Sequence, residues 1–206
     1  MQTSSESMRI LSIFENKPIS KEDLAKETNG RPFFPNRDVD FNISHSCDFI
    51  AVSYTDCKNT RTGCDIEKIR TRQNAIAIAK EYFSESENIY LFNDGNFNLK
   101  RFYEIWTLKE CFIKLRGLSV FDIGTSPSFI QENNFSFNLS SSLPVTFRLY
   151  DITNEQNENY VLAAAIEGEN QSQPEIRLLS SVSLDCKITA EIKAAVNPAQ
   201  TVSPNR

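Results

Sequence analysis

The longest helical signal in the chain runs from Leu99 to Arg116 and stops at Gly117. Glycine adopts the left-handed conformation that often follows a helix, so we expect Gly117 to end it. On both sides of this run, shorter stretches alternate apolar and polar residues, as half-buried strands do. One long helix set among short strands predicts an α+β fold.

Three strands are predicted before the long helix, and they are expected to form a small meander. Helices are predicted over residues 5–15 and 74–83, and another begins at Ser84, where "SESE" has the form of a capping box. The predicted strands before the long helix are 39–46, 48–55 and 63–69, and those after it are 135–139, 145–152, 160–168 and 176–184.

The order of these elements is helix and strands, then helices and strands again, which predicts two similar α+β halves packed as a pseudo-dimer. We expect residues 1–68 to form the first half, residues 69–183 to form the second, and residues 184–206 to be a disordered tail.

Composition limits the class of function. The net charge is −5 and the pI about 5.1, which argues against a sequence-independent nucleic-acid binder. No apolar run is long enough to span a membrane, and the first residues have no leader pattern, so we expect a cytoplasmic protein. The five cysteines contain no CxxC pair, which argues against structural zinc.

Two carboxylates lie close together in "GCDIEKIR". Asp65 and Glu67 are two residues apart on a predicted strand, so their side chains share a face. Such neighbours repel unless a cation lies between them, and Mg²⁺ with oxygen ligands is the usual solution. A solvated strand surface would show the same pattern.

The long helix adds a carboxylate and a lysine, Glu110 and Lys114, one turn apart. This spacing is common for a surface ion pair. It equally suits a metal-bound polyphosphate, where the carboxylate binds metal or accepts a proton and the lysine neutralises phosphate.

The single histidine, His45, lies in "FNISHS" at the end of a predicted strand. Serine hydroxyls, backbone N–H groups and the imidazole are all anion-binding donors. A hydrolase triad is the rival interpretation. However, Ser44 and His45 would point to opposite faces of the strand, and the chain has no G-x-S-x-G motif.

Four segments in order, "NGRP", "FNISHS", "GCDIEKI" and "WTLKECFIK", resemble the marks of the Sfp-type 4′-phosphopantetheinyl transferase family. The likeness covers roughly residues 29–183. It implies transfer of 4′-phosphopantetheine from coenzyme A to a serine of an acyl or peptidyl carrier protein, with release of 3′,5′-ADP. It also implies a monomer that needs Mg²⁺.

By the same resemblance, three acids match the family's Mg²⁺ site, namely Asp65, Glu67 and Glu110. Glu110 is also the candidate general base, and Lys114 matches the lysine that contacts the reacting phosphate. The residues that match coenzyme A contacts are Arg31, Ser44, His45 and Lys114.

The sequence departs from the family before the "NGRP" loop, where relatives of this type carry some forty more residues and this chain has 30 before Arg31. We therefore expect a first half that is shortened at its N-terminus. Two alternatives stay open: a non-catalytic protein that binds coenzyme A or a carrier protein, and a Mg²⁺-dependent phosphohydrolase.

Overall fold

The computed structural model describes residues 2–47, 49–93, 95–129, 145–168 and 185–193. The helices are α1 (Gln2–Phe14), α2 (Ala75–Tyr82), α3 (Glu85–Tyr90) and α4 (Leu99–Arg116). The strands are β1 (Ala25–Lys26), β2 (Pro32–Phe33), β3 (Asp40–Ser46), β4 (Phe49–Thr55), β5 (Arg61–Lys68), β6 (Phe92–Asn93), β7 (Asn96–Phe97), β8 (Val145–Thr153), β9 (Asn159–Glu167) and β10 (Asp185–Lys193).

The main sheet is antiparallel and has the strand order β10–β8–β9–β5. The hairpin β3–β4 is a separate two-stranded sheet, and β1–β2 and β6–β7 are short ribbons. The mixture of helices with antiparallel strands confirms the predicted α+β class. The division into halves at residue 68 and the pseudo-dimer remain predictions.

Within the segment 184–206, where we expected a disordered tail, residues 185–193 form β10 and pair with β8. Backbone pairing along an existing strand orders this segment, which local composition does not reveal. The predicted strands 135–139 and 176–184 lie outside the described residues. In the described part of the chain, no helix has the length and apolar character needed to cross a membrane.

Helix α4 has the bounds that the sequence predicts. The side chain of Asn98 caps its first turn by accepting the Arg101 N–H, and Gly117 closes it with φ +66°. Its apolar positions join β8 and β9 in the largest core cluster, which includes Phe102, Leu108 and Phe147. The burial of these apolar side chains stabilises the packing of the helix against the sheet.

Gly63 brings α4 close to β5. A Cβ atom at this position would lie 2.8 Å from the Cys111 carbonyl oxygen and 2.9 Å from the Leu115 Cβ. The helix therefore runs directly over the strand, which places the middle of β5 beside the C-terminal half of α4.

The predicted meander of three strands is wrong, because β5 pairs with β9 rather than with β4. The free edge of β5 faces β3 instead, and polar side chains of β3 accept its backbone N–H groups at 2.8–3.3 Å. The acceptors are Asp40, Asn42, Ser44 and Ser46, and the donors are Thr62, Cys64, Ile66 and Lys68, respectively. The polar residues that alternate along β3 therefore bond to the backbone of β5 and do not form a solvent-facing surface.

Candidate active site

Three of the four motif segments meet at the carboxylate of Asp65. Lys114 Nζ donates to Asp65 Oδ1 at 2.6 Å and to Ser44 Oγ at 2.9 Å. The Ser44 hydroxyl donates to the same Oδ1 at 2.7 Å. The strand β3, the strand β5 and the helix α4 therefore each supply one member of a closed triangle.

The second oxygen of Asp65 has no hydrogen-bond partner among the described residues, although it is buried. The whole residue is 3% exposed. A buried carboxylate oxygen left unpaired is costly, and it marks a place where a further donor or a cation fits.

Lys114 is charged at neutral pH. Burial acts to lower its pKa, but the ion pair with Asp65 outweighs burial, so the pKa lies above its ordinary value. The Lys114 side chain stays 29% exposed, so it can also reach a ligand.

The two glutamates lie in the same electrostatic field. Burial raises the pKa of Glu67, and so does the charge of Asp65. The charges of Arg72 and Lys114, and then a hydrogen bond with the Trp106 side chain, act to lower it. Burial and the same Asp65 raise the pKa of Glu110 to about 7, against the attraction of Lys114. A carboxyl group with a pKa near 7 is suited to exchanging a proton at physiological pH.

The prediction that Ser44 and His45 face opposite ways is confirmed. Ser44 is buried against β5, and His45 is exposed on the other face of β3. The two side chains therefore cannot form the hydrogen-bonded pair that a hydrolase triad requires. A coenzyme A contact by His45 stays a prediction.

Arg31 is placed differently from a ligand-binding residue. Its side chain is 4% exposed, and the two terminal nitrogens donate to five protein oxygens at 2.5–3.1 Å. Those oxygens belong to Asp40, Phe41, Thr62, Lys114 and Leu115. The coenzyme A contact predicted for Arg31 stays untested, and this geometry favours a structural role.

No set of three His, Cys, Asp or Glu side chains is already assembled around a metal position in the described residues. The residues nevertheless suit Mg²⁺, because carboxylate oxygens are its preferred protein ligands and Asp65 Oδ2 has an open acceptor position. The predicted metal role of Asp65, Glu67 and Glu110 stays a prediction.

One member of this region was not anticipated from the sequence. The Arg72 guanidinium lies 5.4 Å from the centre of the Trp106 ring, and its charge acts on both Glu67 and Glu110. The signal available was weak: an arginine a few residues beyond the second acid of a carboxylate pair, in a segment without regular periodicity.

Comparison with known proteins agrees with the geometry. The model of the 4′-phosphopantetheinyl transferase superfamily matches residues 61–165. The chain is 36% identical over 97 residues to the 4′-phosphopantetheinyl transferase gsp of Aneurinibacillus migulanus, covering 47% of this chain and 38% of that protein.

Two further relatives match longer stretches. Identity to 4′-phosphopantetheinyl transferase AcpT of Escherichia coli K12 is 35% over 130 residues, which is 57% of this chain and 65% of AcpT. Identity to 4′-phosphopantetheinyl transferase Sfp of Bacillus subtilis is 32% over 141 residues, which is 65% of this chain and 61% of Sfp.

The chain spans about half the length of the curated relatives it matches. The superfamily match covers the strand that carries Asp65 and Glu67, the helix that carries Glu110 and Lys114, and the start of β9 onward to residue 165. Since that match extends over half of the chain, the protein belongs to the 4′-phosphopantetheinyl transferase superfamily.

Proposed function

We propose that this protein transfers the 4′-phosphopantetheine group of coenzyme A to a serine of an acyl or peptidyl carrier protein and releases 3′,5′-ADP. The observation that carries the proposal is the contact among Ser44, Asp65 and Lys114. Ser44 and Lys114 are 21 and 49 residues from Asp65 in the sequence, yet both lie within hydrogen-bond distance of its carboxylate. A site assembled over such separations serves more than local folding.

In this reaction the serine oxygen of the carrier protein forms a bond to the phosphorus that carries the pantetheine arm. The bond from that phosphorus to the oxygen of 3′,5′-ADP breaks. Glu110 accepts the proton of the serine hydroxyl. Lys114 turns from Asp65 towards the pyrophosphate and neutralises charge there. The Ser44 hydroxyl likewise rotates from Asp65, so that Ser44 and His45 supply donors to the phosphates.

Asp65, Glu67 and Glu110 would hold Mg²⁺. When bound, the ion would supply positive charge that neutralises the pyrophosphate. We also expect the protein to act as a cytoplasmic monomer.

The proposal is tested by mass spectrometry of purified apo carrier proteins, one acyl and one peptidyl, incubated with this protein, coenzyme A and Mg²⁺. We expect at least one carrier to gain the mass of one phosphopantetheine group. A carrier whose acceptor serine is replaced by alanine is the matched control and should gain nothing.

Coenzyme A binding in calorimetry without any mass gain would contradict the proposal and favour a non-catalytic binding protein. Release of free phosphopantetheine without a modified carrier would favour a hydrolase.

A further inference from the structure

The five oxygens bonded by Arg31 belong to three different elements. On β3 they are a carboxylate oxygen of Asp40 and the carbonyl of Phe41, and on β5 the carbonyl of Thr62. On α4 they are the carbonyls of Lys114 and Leu115, at 2.7 and 3.1 Å from Nη1.

These are the same three elements that supply the triangle at Asp65. Ser44 lies four residues along β3 from Asp40, and Asp65 lies three residues along β5 from Thr62. At about 3.3 Å per residue, the guanidinium binds the strands roughly 10–13 Å from the triangle. On α4, in contrast, it binds the main chain of Lys114 itself.

The loop that carries Arg31 is fixed to the same end of α4. Asn29 Nδ2 donates to the Gly117 carbonyl at 2.5 Å, and Asn29 Oδ1 accepts the Arg31 N–H at 2.9 Å. Gly30 has φ +89°, a conformation that favours glycine and allows the loop to turn the arginine inwards. Arg31 is therefore held in place both by its backbone N–H and by the terminal nitrogens of its side chain.

We propose that Arg31 is a positioning residue, which holds β3, β5 and the end of α4 together so that the Lys114 ammonium meets Asp65 and Ser44. The two terminal nitrogens carry four N–H donors in a fixed plane and reach five oxygens on three elements, whereas a lysine ammonium has three donors on one atom and cannot make all of these bonds. The third nitrogen, Nε, is buried without a partner among the described residues. The consequence for catalysis rests on the proposed transferase function; the consequence for Lys114 does not.

The test uses the whole chain without coenzyme A or metal and follows lysine ammonium groups by ¹H–¹⁵N NMR. Hydrogen bonds to Asp65 and Ser44 slow proton exchange at Lys114 in the native protein. In Arg31→Lys we expect that exchange to quicken by at least about tenfold, because the loss of charge-assisted bonds loosens the end of α4.

Lys109 is an internal control in the same spectra. Like Lys114 it lies on α4, but it is buried against Glu87 of α3 and bonds to Ser126 and Pro127 rather than to the elements that Arg31 joins. Its signal should be unchanged. Equal quickening at Lys109 and Lys114 would show general loosening of the fold and would overturn the proposal.

Coenzyme A affinity separates positioning from direct phosphate binding. For a positioning residue, Arg31→Lys should lower kcat about tenfold or more while the coenzyme A Kd changes less than about threefold. An unchanged Lys114 signal, with or without weaker coenzyme A binding, would overturn the proposal.

Asp40→Asn is the second variant, since it weakens the bond from Arg31 Nη2 to residue 40 and leaves Arg31 itself unchanged. If Arg31→Lys does not fold, the same change at Lys114 with no change at Lys109 is expected in Asp40→Asn. An unaltered Lys114 signal in that variant would then count against the proposal.

Discussion

Helix α4 carries three lysines that pair with carboxylates from other elements. Lys109 and Lys114 are the more buried of the three, and their two pairs are built differently. Lys109 and Glu87 are 2% and 0% exposed, whereas Lys114 and Asp65 are 29% and 4% exposed. Both pairs lie at the boundary between the helix and a neighbouring element, so their position alone does not separate them.

The Lys109 pair has every bond satisfied. Its ammonium contacts Glu87 Oε2, Ser126 Oγ and the Pro127 carbonyl at 3.0–3.2 Å. The carboxylate also accepts the backbone N–H groups of Ser84 and Phe129, both at 2.7 Å. This pair joins α3, α4 and the segment before residue 130, and it leaves no donor or acceptor for a ligand.

The Lys114 pair is incomplete. Asp65 Oδ2 has no partner in the described residues, Lys114 is partly open to solvent, and Glu67 and Glu110 stand in the same field with raised pKa values. A satisfied buried pair stabilises one structure, whereas an unsatisfied one is prepared for a ligand.

Removal of the carboxylate should give the largest contrast between the two pairs. Asp65→Ala should lower transfer by more than about 10³-fold, because it removes a ligand position and the partner of Lys114. Its stability should match or exceed that of the native protein, because Glu67 and Glu110 lose a repelling neighbour and the partly exposed Lys114 keeps contact with water. Carrier modification and chemical unfolding are the two measurements.

Glu87→Ala is the matched variant for that experiment and should do the reverse, with a destabilised fold and transfer retained per folded molecule. Transfer that persists in Asp65→Ala in the presence of chelator would contradict the assignment.

The second prediction concerns the stability of the satisfied pair. Lys109→Met leaves the Glu87 carboxylate buried without its cation, which should lower the free energy of unfolding by about 3–5 kcal/mol. Denaturant titration measures it. The double variant Lys109→Met/Glu87→Gln should recover part of the loss, because the amide is uncharged and its oxygen still accepts a backbone N–H group. A cost below about 1 kcal/mol for the single change would mean that the pair is not buried in solution.

The third prediction concerns cation binding at the incomplete pair. Lys114→Met removes the ammonium that now neutralises Asp65, so Tb³⁺ should bind about tenfold more tightly and Mg²⁺ should compete with it. Luminescence excited through Trp106, the only tryptophan in the chain, reports the binding.

Arg72→Met is the control for that measurement, because Arg72 acts on Glu67 and Glu110 by charge while its own Nε donates to Asn74. Equal gains in the two variants would show that any lost positive charge suffices, which would contradict a specific role of Lys114.

The smallest expected effect is on the pH dependence of stability without metal. The pKa of Glu110 is about 7 in the fold against an ordinary 4.5, so between these values the folded state keeps a proton that the unfolded chain releases. The free energy of unfolding therefore falls as pH rises through this window.

Glu110→Gln cannot ionise and should lose that slope. We expect it to be more stable than the native protein above about pH 7 by roughly 1–2 kcal/mol, after allowance for solvent screening, and similar to it near pH 4. Thermal unfolding at a series of pH values measures the difference. Parallel curves for the two proteins would place Glu110 in a more hydrated site.

Local sequence patterns predicted much of the secondary structure. The bounds of α4, the end at Gly117 and the capping box of Ser84 with Glu87 follow from interactions within a few residues, which the sequence states directly. The alternation of β3 likewise predicted that Ser44 and His45 face opposite ways, because successive side chains of a strand always do.

The sequence by itself therefore determined the α+β class, the long helix and the identity of the residues that gather at Asp65. Only the tertiary structure decided that β5 pairs with β9, where Thr62 of β5 bonds to Ala165 of β9 across 103 positions of sequence. It also decided that Arg31 joins three elements. The physical reason is that a polar side chain looks the same in sequence whether its partner is water, a ligand or a distant backbone group. That choice is made by packing between elements that are remote along the chain.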